Sequence, residues 1–160
     1  MKHVESRDGT QIAFEPSGTG PPLVLVHGTG TDHTYWSTVL PELERHFTVF
    51  AVDRRGRGQS DEVSPYAIEH EFADVAAVVD SIPEPVCLFG HSYGALCSAE
   101  AALLTSHIHK LVLYEPPVRT TVEVVYPPGA LETFTALVEA GRAEDALLMM
   151  YEAGDSSPEE

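Results

Sequence analysis

An α/β fold, with a mostly parallel sheet of about six strands and helices on both faces, is the class this 160-residue sequence predicts. Three observations carry it. Short apolar runs alternate with stretches of helical periodicity from Leu23 to Tyr114, which is the order of βαβ units. Leu23-Val24-Leu25-Val26 is apolar throughout rather than alternating, as a strand covered on both faces requires. Finally, the glycine-flanked stretch Gly90-His91-Ser92-Tyr93-Gly94 joins the apolar run Val86-Cys87-Leu88-Phe89 directly to the small residues beginning Ala95-Leu96-Cys97.

The chain opens as a hairpin, because Arg7-Asp8-Gly9-Thr10 supplies turn chemistry between a strand around His3 to Ser6 and another around Gln11 to Glu15. Ser17 to Pro22 reads as a loop. The strand Leu23 to Val26 ends at His27-Gly28, and after Gly28-Thr29-Gly30-Thr31 a helix is expected with Trp36, Val39, Leu40 and Leu43 on one face and Trp36 as its core anchor. Phe47 to Val52 is the next strand, closed by Asp53-Arg54-Arg55-Gly56-Arg57-Gly58-Gln59-Ser60. A second helix carries Phe72, Val75, Val79 and Ile82 and stops at Pro83. After the helix that follows Ser92, Leu111-Val112-Leu113-Tyr114 makes one more strand, ending at Glu115-Pro116-Pro117. Two helices without strands are expected beyond it, one through Leu131, Phe134 and Val138, the other through Ala143, Ala146, Leu147, Met150 and Tyr151. Ser157-Pro158-Glu159-Glu160 has the cap, proline and glutamate of a helix start, and a disordered acidic tail is the alternative.

Composition narrows the function. With 25 acidic against 9 basic residues, a net charge of -16, the surface repels phosphate backbones and anionic lipid, so neither nucleic acid nor a membrane is an expected partner. The polar N-terminus and the lack of any apolar stretch near ~20 residues point to a cytoplasmic chain. Cys87 and Cys97 show no metal or redox spacing and are expected as buried reduced thiols, and the eight histidines are scattered without ligand spacing, so no metal and no cofactor are expected.

A G-x-S-x-G match arises by chance in roughly 5% of chains this long. Its setting between strand and helix is what gives it weight, since that turn lifts a serine Oγ above the sheet edge. Val26-His27-Gly28 after one strand, Asp53 to Ser60 after the next, and Gly90 to Gly94 at the elbow together resemble the α/β-hydrolase superfamily. The likeness runs from Gln11 to Tyr114 and falls among its small serine hydrolases: esterases, lactonases, cofactor-free haloperoxidases and carbon-carbon bond hydrolases. The resemblance implies Ser92 as nucleophile, the backbone N–H groups of Thr29 and Tyr93 as an oxyanion hole, and a small apolar or ester-like substrate.

His27, Gly28, His91 and Glu115 lie near the implied pocket, with His27 expected to fix its loop and His91 to point away from Ser92, because neighbouring side chains on a strand diverge. His33 is expected at the helix entry, and Asp53 is not assigned to a triad. In the family the acid and histidine follow the nucleophile, yet no histidine follows His109 here. The sequence therefore reads as an N-terminal portion of such a hydrolase: residues 1–117 form the core, and 118–160 an incomplete helical lid of the same domain. The C-terminal part of the fold is then missing, leaving Leu111 to Tyr114 as an apolar edge that invites self-association. Two functions follow: a serine hydrolase of low activity as this chain, or a non-catalytic hydrolase-like binding module.

Overall fold

The computed structural model describes residues 1–62, 64–118 and 128–155. The chain divides into two compact units, Met1–Val118 and Arg119–Glu160. The first holds a six-stranded sheet built from β1 (Lys2–Glu5), β2 (Gln11–Gly18), β3 (Pro22–Val26), β4 (Thr48–Val52), β5 (Val86–His91) and β6 (Ile108–Tyr114), in the order β1-β2-β4-β3-β5-β6. Strands β4, β3, β5 and β6 run parallel, while β1 and β2 pair antiparallel at one end. The α/β-hydrolase sheet expected from the sequence is thus present.

Strand β2 runs farther than its turn residues suggest, through Pro16 to Gly18. Ala13 turns its backbone toward β4, since its carbonyl accepts from the Asp53 N–H, so Pro16 turns toward β1. Pairing with β1 has already ended at Phe14 opposite Lys2, and proline's missing N–H removes no ladder bond there.

The sheet's alternation divides the core into two layers. Val24 and Val26 of β3 and Val86 and Leu88 of β5 face one side, where helices α2 (Ile68–Asp80) and α3 (Tyr93–Ala101) contribute Val75, Val78, Val79, Cys97 and Ala101. Leu23, Leu25, Cys87 and Phe89 face the other, against Trp36, Leu40 and Leu43. That second layer corrects the expected single helix. His33–Thr38 is a 3₁₀ helix, followed by only one turn of α-helix, α1 (Leu40–Leu43), with Pro41 in its first turn. Three residues per turn rather than 3.6 rotates the face, and Val39, predicted to point inward, is exposed. Trp36 does anchor the layer, edge-on to Phe89 with ring centroids 5.7 Å apart.

Cys97 is wholly buried, and burial pushes its thiol up to about 12, with the Glu71 carboxylate adding to the shift. Cys87 is half-buried and both cysteines are free thiols. At the far edge Leu111, Val112, Leu113 and Tyr114 are 38% to 53% exposed.

The second unit contains α4 (Ala130–Glu139) and α5 (Ala143–Asp155), which pack on one another. Gly141 in the left-handed region ends α4, and the N–H groups of Gly141 and Arg142 return to the carbonyls of Val138 and Leu137, a Schellman closure that only glycine adopts without strain. The helix start expected at Ser157 to Glu160 lies outside the described residues. Among the described residues no helix is long and apolar enough to cross a membrane.

Leu88 is fully buried in a central strand, so Leu88→Ala is expected to cost about 2–5 kcal/mol, read as a fall in the urea midpoint followed by circular dichroism.

Candidate active site

Strand β3 has β4 on one side and β5 on the other, so the chain reverses its direction of travel across the sheet at β3. The crevice beyond the carboxyl ends of β3 and β5 is where such sheets bind ligands. The residues there are His27 to Thr31 after β3 and Ser92 after β5.

Ser92 sits between β5 and α3 with φ 52° and ψ -123°, a conformation that costs a non-glycine residue about 1–3 kcal/mol. Its surroundings impose it. The Ser92 N–H donates to the Tyr114 carbonyl of β6 at 2.9 Å, and its own carbonyl accepts from Ala95 at 2.9 Å. Two glycines allow the turn by close approach: a Cβ at Gly94 would collide with the carbonyl oxygens of Val26 and His27, and one at Gly90 with the backbone of Gly94 and Ala95. Gly28 packs beside the serine, where a Cβ would lie 3.1 Å from Ser92 Cβ. Thr29, next along, is exposed. Among the described residues neither the Thr29 nor the Tyr93 N–H has a backbone partner. For Tyr93 that is the normal state of a first-turn helix amide.

The Gly28 carbonyl, by contrast, is heavily used. It accepts from Arg54 Nη1 at 2.9 Å and from His27 Nδ1 at 2.9 Å, with Thr31 Oγ1 at 3.4 Å. His27 Nε2 in turn accepts the Arg54 N–H at 3.2 Å, so the ring is the neutral tautomer with its proton on Nδ1. Burial lowers its pKa to about 4. Arg54 is itself buried and forks onto Glu71, with Nε to Oε2 at 2.6 Å and Nη2 to Oε1 at 2.8 Å. Burial works against the guanidinium charge, but the Glu71 carboxylate outweighs it and raises the pKa further. Glu71 Oε1 also accepts from the Tyr66 hydroxyl at 2.7 Å, and the Tyr66 and Tyr93 hydroxyls lie 2.8 Å apart. Arg54 stacks over the Tyr93 ring at 4.4 Å. Arg55 forms a parallel fork with Asp74, and Arg57 is exposed.

A cavity of about 630 Å³ opens over this network, lined by Thr29, Arg54, Arg57, Glu62, Tyr66 and Tyr93 among others. Ser92, His27, Gly28, His91 and Glu115 are not among the residues that line it. His91 stacks on Tyr35 at 5.0 Å and lies tilted against Tyr114 at 5.5 Å, its Nε2 3.9 Å from Glu115, in an apolar groove of about 560 Å³ on the Trp36 face. Glu115 is largely exposed. Asp53 is wholly buried and accepts from the N–H groups of His33 at 2.8 Å and Gln59 at 2.9 Å, with His33 Nδ1 at 2.8 Å. Asp32, His33 and Asp53 bring potential ligand atoms within 4.8 Å of one another, with Asp32 Oδ1 accepting from the N–H and hydroxyl of Thr34.

Glu71, Tyr66 and the role of Arg54 were not singled out from the sequence. A signal was present: Glu71 and Asp74 share the face of α2 that carries Val75 and Val78, where acids need partners, and two consecutive arginines follow β4.

The model of the alpha/beta hydrolase family matches residues 23–159. A solved alpha/beta hydrolase from Sphaerobacter thermophilus superposes with a TM-score of 0.85 at 39% identity, covering 98% of this chain and 62% of that one. The 2-hydroxy-6-oxo-2,4-heptadienoate hydrolase of Pseudomonas putida is 37% identical over 112 residues, 66% of this chain and 41% of that protein. The pimeloyl-[acyl-carrier protein] methyl ester esterase of Methylococcus capsulatus is 35% identical over 91 residues, 57% of this chain and 35% of its own. The chain thus spans between about a third and two thirds of the length of these three proteins.

The buried neutral His27 predicts a pH dependence. Its folded pKa of about 4 lies below the ordinary histidine value of 6.5, so between these values the unfolded chain binds more protons and stability falls as pH falls. The loss through that window is expected to be on the order of 3 kcal/mol, complete below the lower value. Urea midpoints measured from pH 7.5 to pH 4 should drop less steeply in His27→Gln than in the wild-type chain; equal slopes would refute the assignment.

Proposed function

The chain belongs to the alpha/beta hydrolase family, and on that premise we propose that it carries the nucleophile and oxyanion donors of a hydrolase acting on an ester, lactone or similar small carbonyl compound. The observation that supports this most is Ser92 itself, held at φ 52° on a strand-to-helix turn, packed on Gly28, and followed by Tyr93, whose N–H, like that of Thr29, has no backbone partner among the described residues. In this reading Ser92 Oγ attacks the carbonyl carbon, the carbonyl π bond opens onto oxygen, and the resulting oxyanion accepts from the Thr29 and Tyr93 N–H groups. Each such donor is worth roughly 3–4 kcal/mol of barrier. Collapse of the intermediate expels the alcohol and leaves an acyl-serine, which water hydrolyses.

The serine proton needs an acceptor within hydrogen-bonding reach. Among the described residues no side chain hydrogen-bonds Ser92, and His27 and His33 are committed elsewhere. The acceptor in this reading lies outside the described residues, so reactivity of this chain is better read by stoichiometric labelling than by turnover. The same observation favours a second reading, a binding module without catalysis. The name of the Methylococcus capsulatus relative, a methyl ester esterase, supports the ester class, and that of the Pseudomonas putida relative, a hydrolase of an oxo-heptadienoate, supports a small carbonyl compound.

Incubation with a fluorophosphonate and peptide mass spectrometry separates these readings. Slow formation of a single adduct on Ser92, absent from Ser92→Ala and from heat-unfolded protein, is the expected result. A folded sample that takes no label, or takes it elsewhere, would leave the binding module as the better account.

A further inference from the structure

The side of the peptide on which Gly28 presents its carbonyl decides where the Thr29 N–H points, because C=O and N–H of a trans peptide lie antiparallel. Two firm donors, Arg54 Nη1 and His27 Nδ1, each at 2.9 Å, hold that carbonyl against the interior. We propose that Arg54 is a positioning residue for the oxyanion hole: by fixing the Gly28 carbonyl it aims the Thr29 N–H into the cavity. This rests on the reading of Ser92 as the attacking group.

Glycine at position 28 gives the peptide freedom to flip, so its orientation needs an external constraint. Arg54 provides one that cannot swing away, because its other two nitrogens are forked on Glu71. Glu71 is braced by Tyr66, whose hydroxyl touches that of Tyr93. Tyr93 is the residue whose own N–H is the second donor. A chain of contacts therefore runs from one oxyanion donor to the other through Gly28, Arg54, Glu71, Tyr66 and Tyr93, with Gly28, Arg54 and Glu71 buried and Tyr66 at the surface. The guanidinium N–H on the Gly28 carbonyl also polarises that peptide and strengthens its N–H as a donor. Lysine would keep the charge but could not reach Gly28 and both Glu71 oxygens at once.

Two variants test it: Arg54→Lys, and the double variant Arg54→Met with Glu71→Gln, which leaves no orphaned charge if the single one folds poorly. Amide ¹⁵N relaxation of Thr29 is the readout independent of chemistry. The wild-type order parameter should be near 0.85, falling below about 0.6 in both variants while amides of α3 keep theirs. The second readout compares labelling of Ser92 by a fluorophosphonate and its P=S analogue, since an oxyanion hole favours oxygen. The oxygen preference should fall about tenfold in the variants, a part of what losing a whole donor costs. Unchanged Thr29 order would overturn the proposal, as would equal slowing of both probes with the oxygen preference intact. If the wild-type chain takes neither probe, the hydrolase reading fails on its own and the Thr29 measurement alone decides whether Arg54 orients that amide.

Discussion

Backbone touching backbone at Gly94 is the contact from which the rest of the site follows. Helix α3 meets the end of β3 so closely that the carbonyls of Val26 and His27 occupy the space a side chain would need. That distance sets the height of the helix start above the sheet, and with it the tightness of the turn that carries Ser92. It also brings Gly28 against Ser92, so the loop after β3 and the turn after β5 form one surface. The strain at Ser92 persists because the hydrogen bonds to Tyr114 and Ala95 and the packing of α3 each specify the same geometry.

A second layer of constraint is ionic. Consecutive residues Arg54 and Arg55 fork onto Glu71 and Asp74, one helical turn apart on α2. In a chain with only 9 cationic side chains, two are withdrawn from a surface that is already strongly acidic. Buried pairs contribute little net stability against apolar replacements, but breaking one leaves an uncompensated charge and costs roughly 3–5 kcal/mol. Their effect is therefore specification: α2 can occupy one rotation and one register relative to the loop after β4, and the cavity takes its floor from that choice.

The sequence makes the strands, the elbow and the separation of His91 from Ser92 legible, because each depends on neighbours within a few residues. Alternation alone sends His91 to the face of Phe89, where it stacks on Tyr35. The 3₁₀ stretch at His33–Thr38 was not legible, since Trp36, Val39, Leu40 and Leu43 fit helical spacing while Pro41 and the Asp32 cap favour a tighter winding that periodicity does not register. Nor was the bond from Arg54 to Gly28, which joins residues 26 apart through a side chain whose direction is set only when α2 has docked. The arginines were readable as partners for acids, but not which carbonyl one of them would hold.

Trp36 is the only tryptophan in the chain, and it belongs wholly to the layer of Leu23, Leu25 and Phe89, with His91 edge-on at 6.4 Å. Its emission is accordingly a report from one side of the sheet. The layer of α2 and α3, where the ion pairs and the elbow helix lie, is optically silent at that wavelength. Indole fluorescence thus watches one half of the core alone, whereas helical ellipticity sums α2 and α3 with α4 and α5 of the second unit.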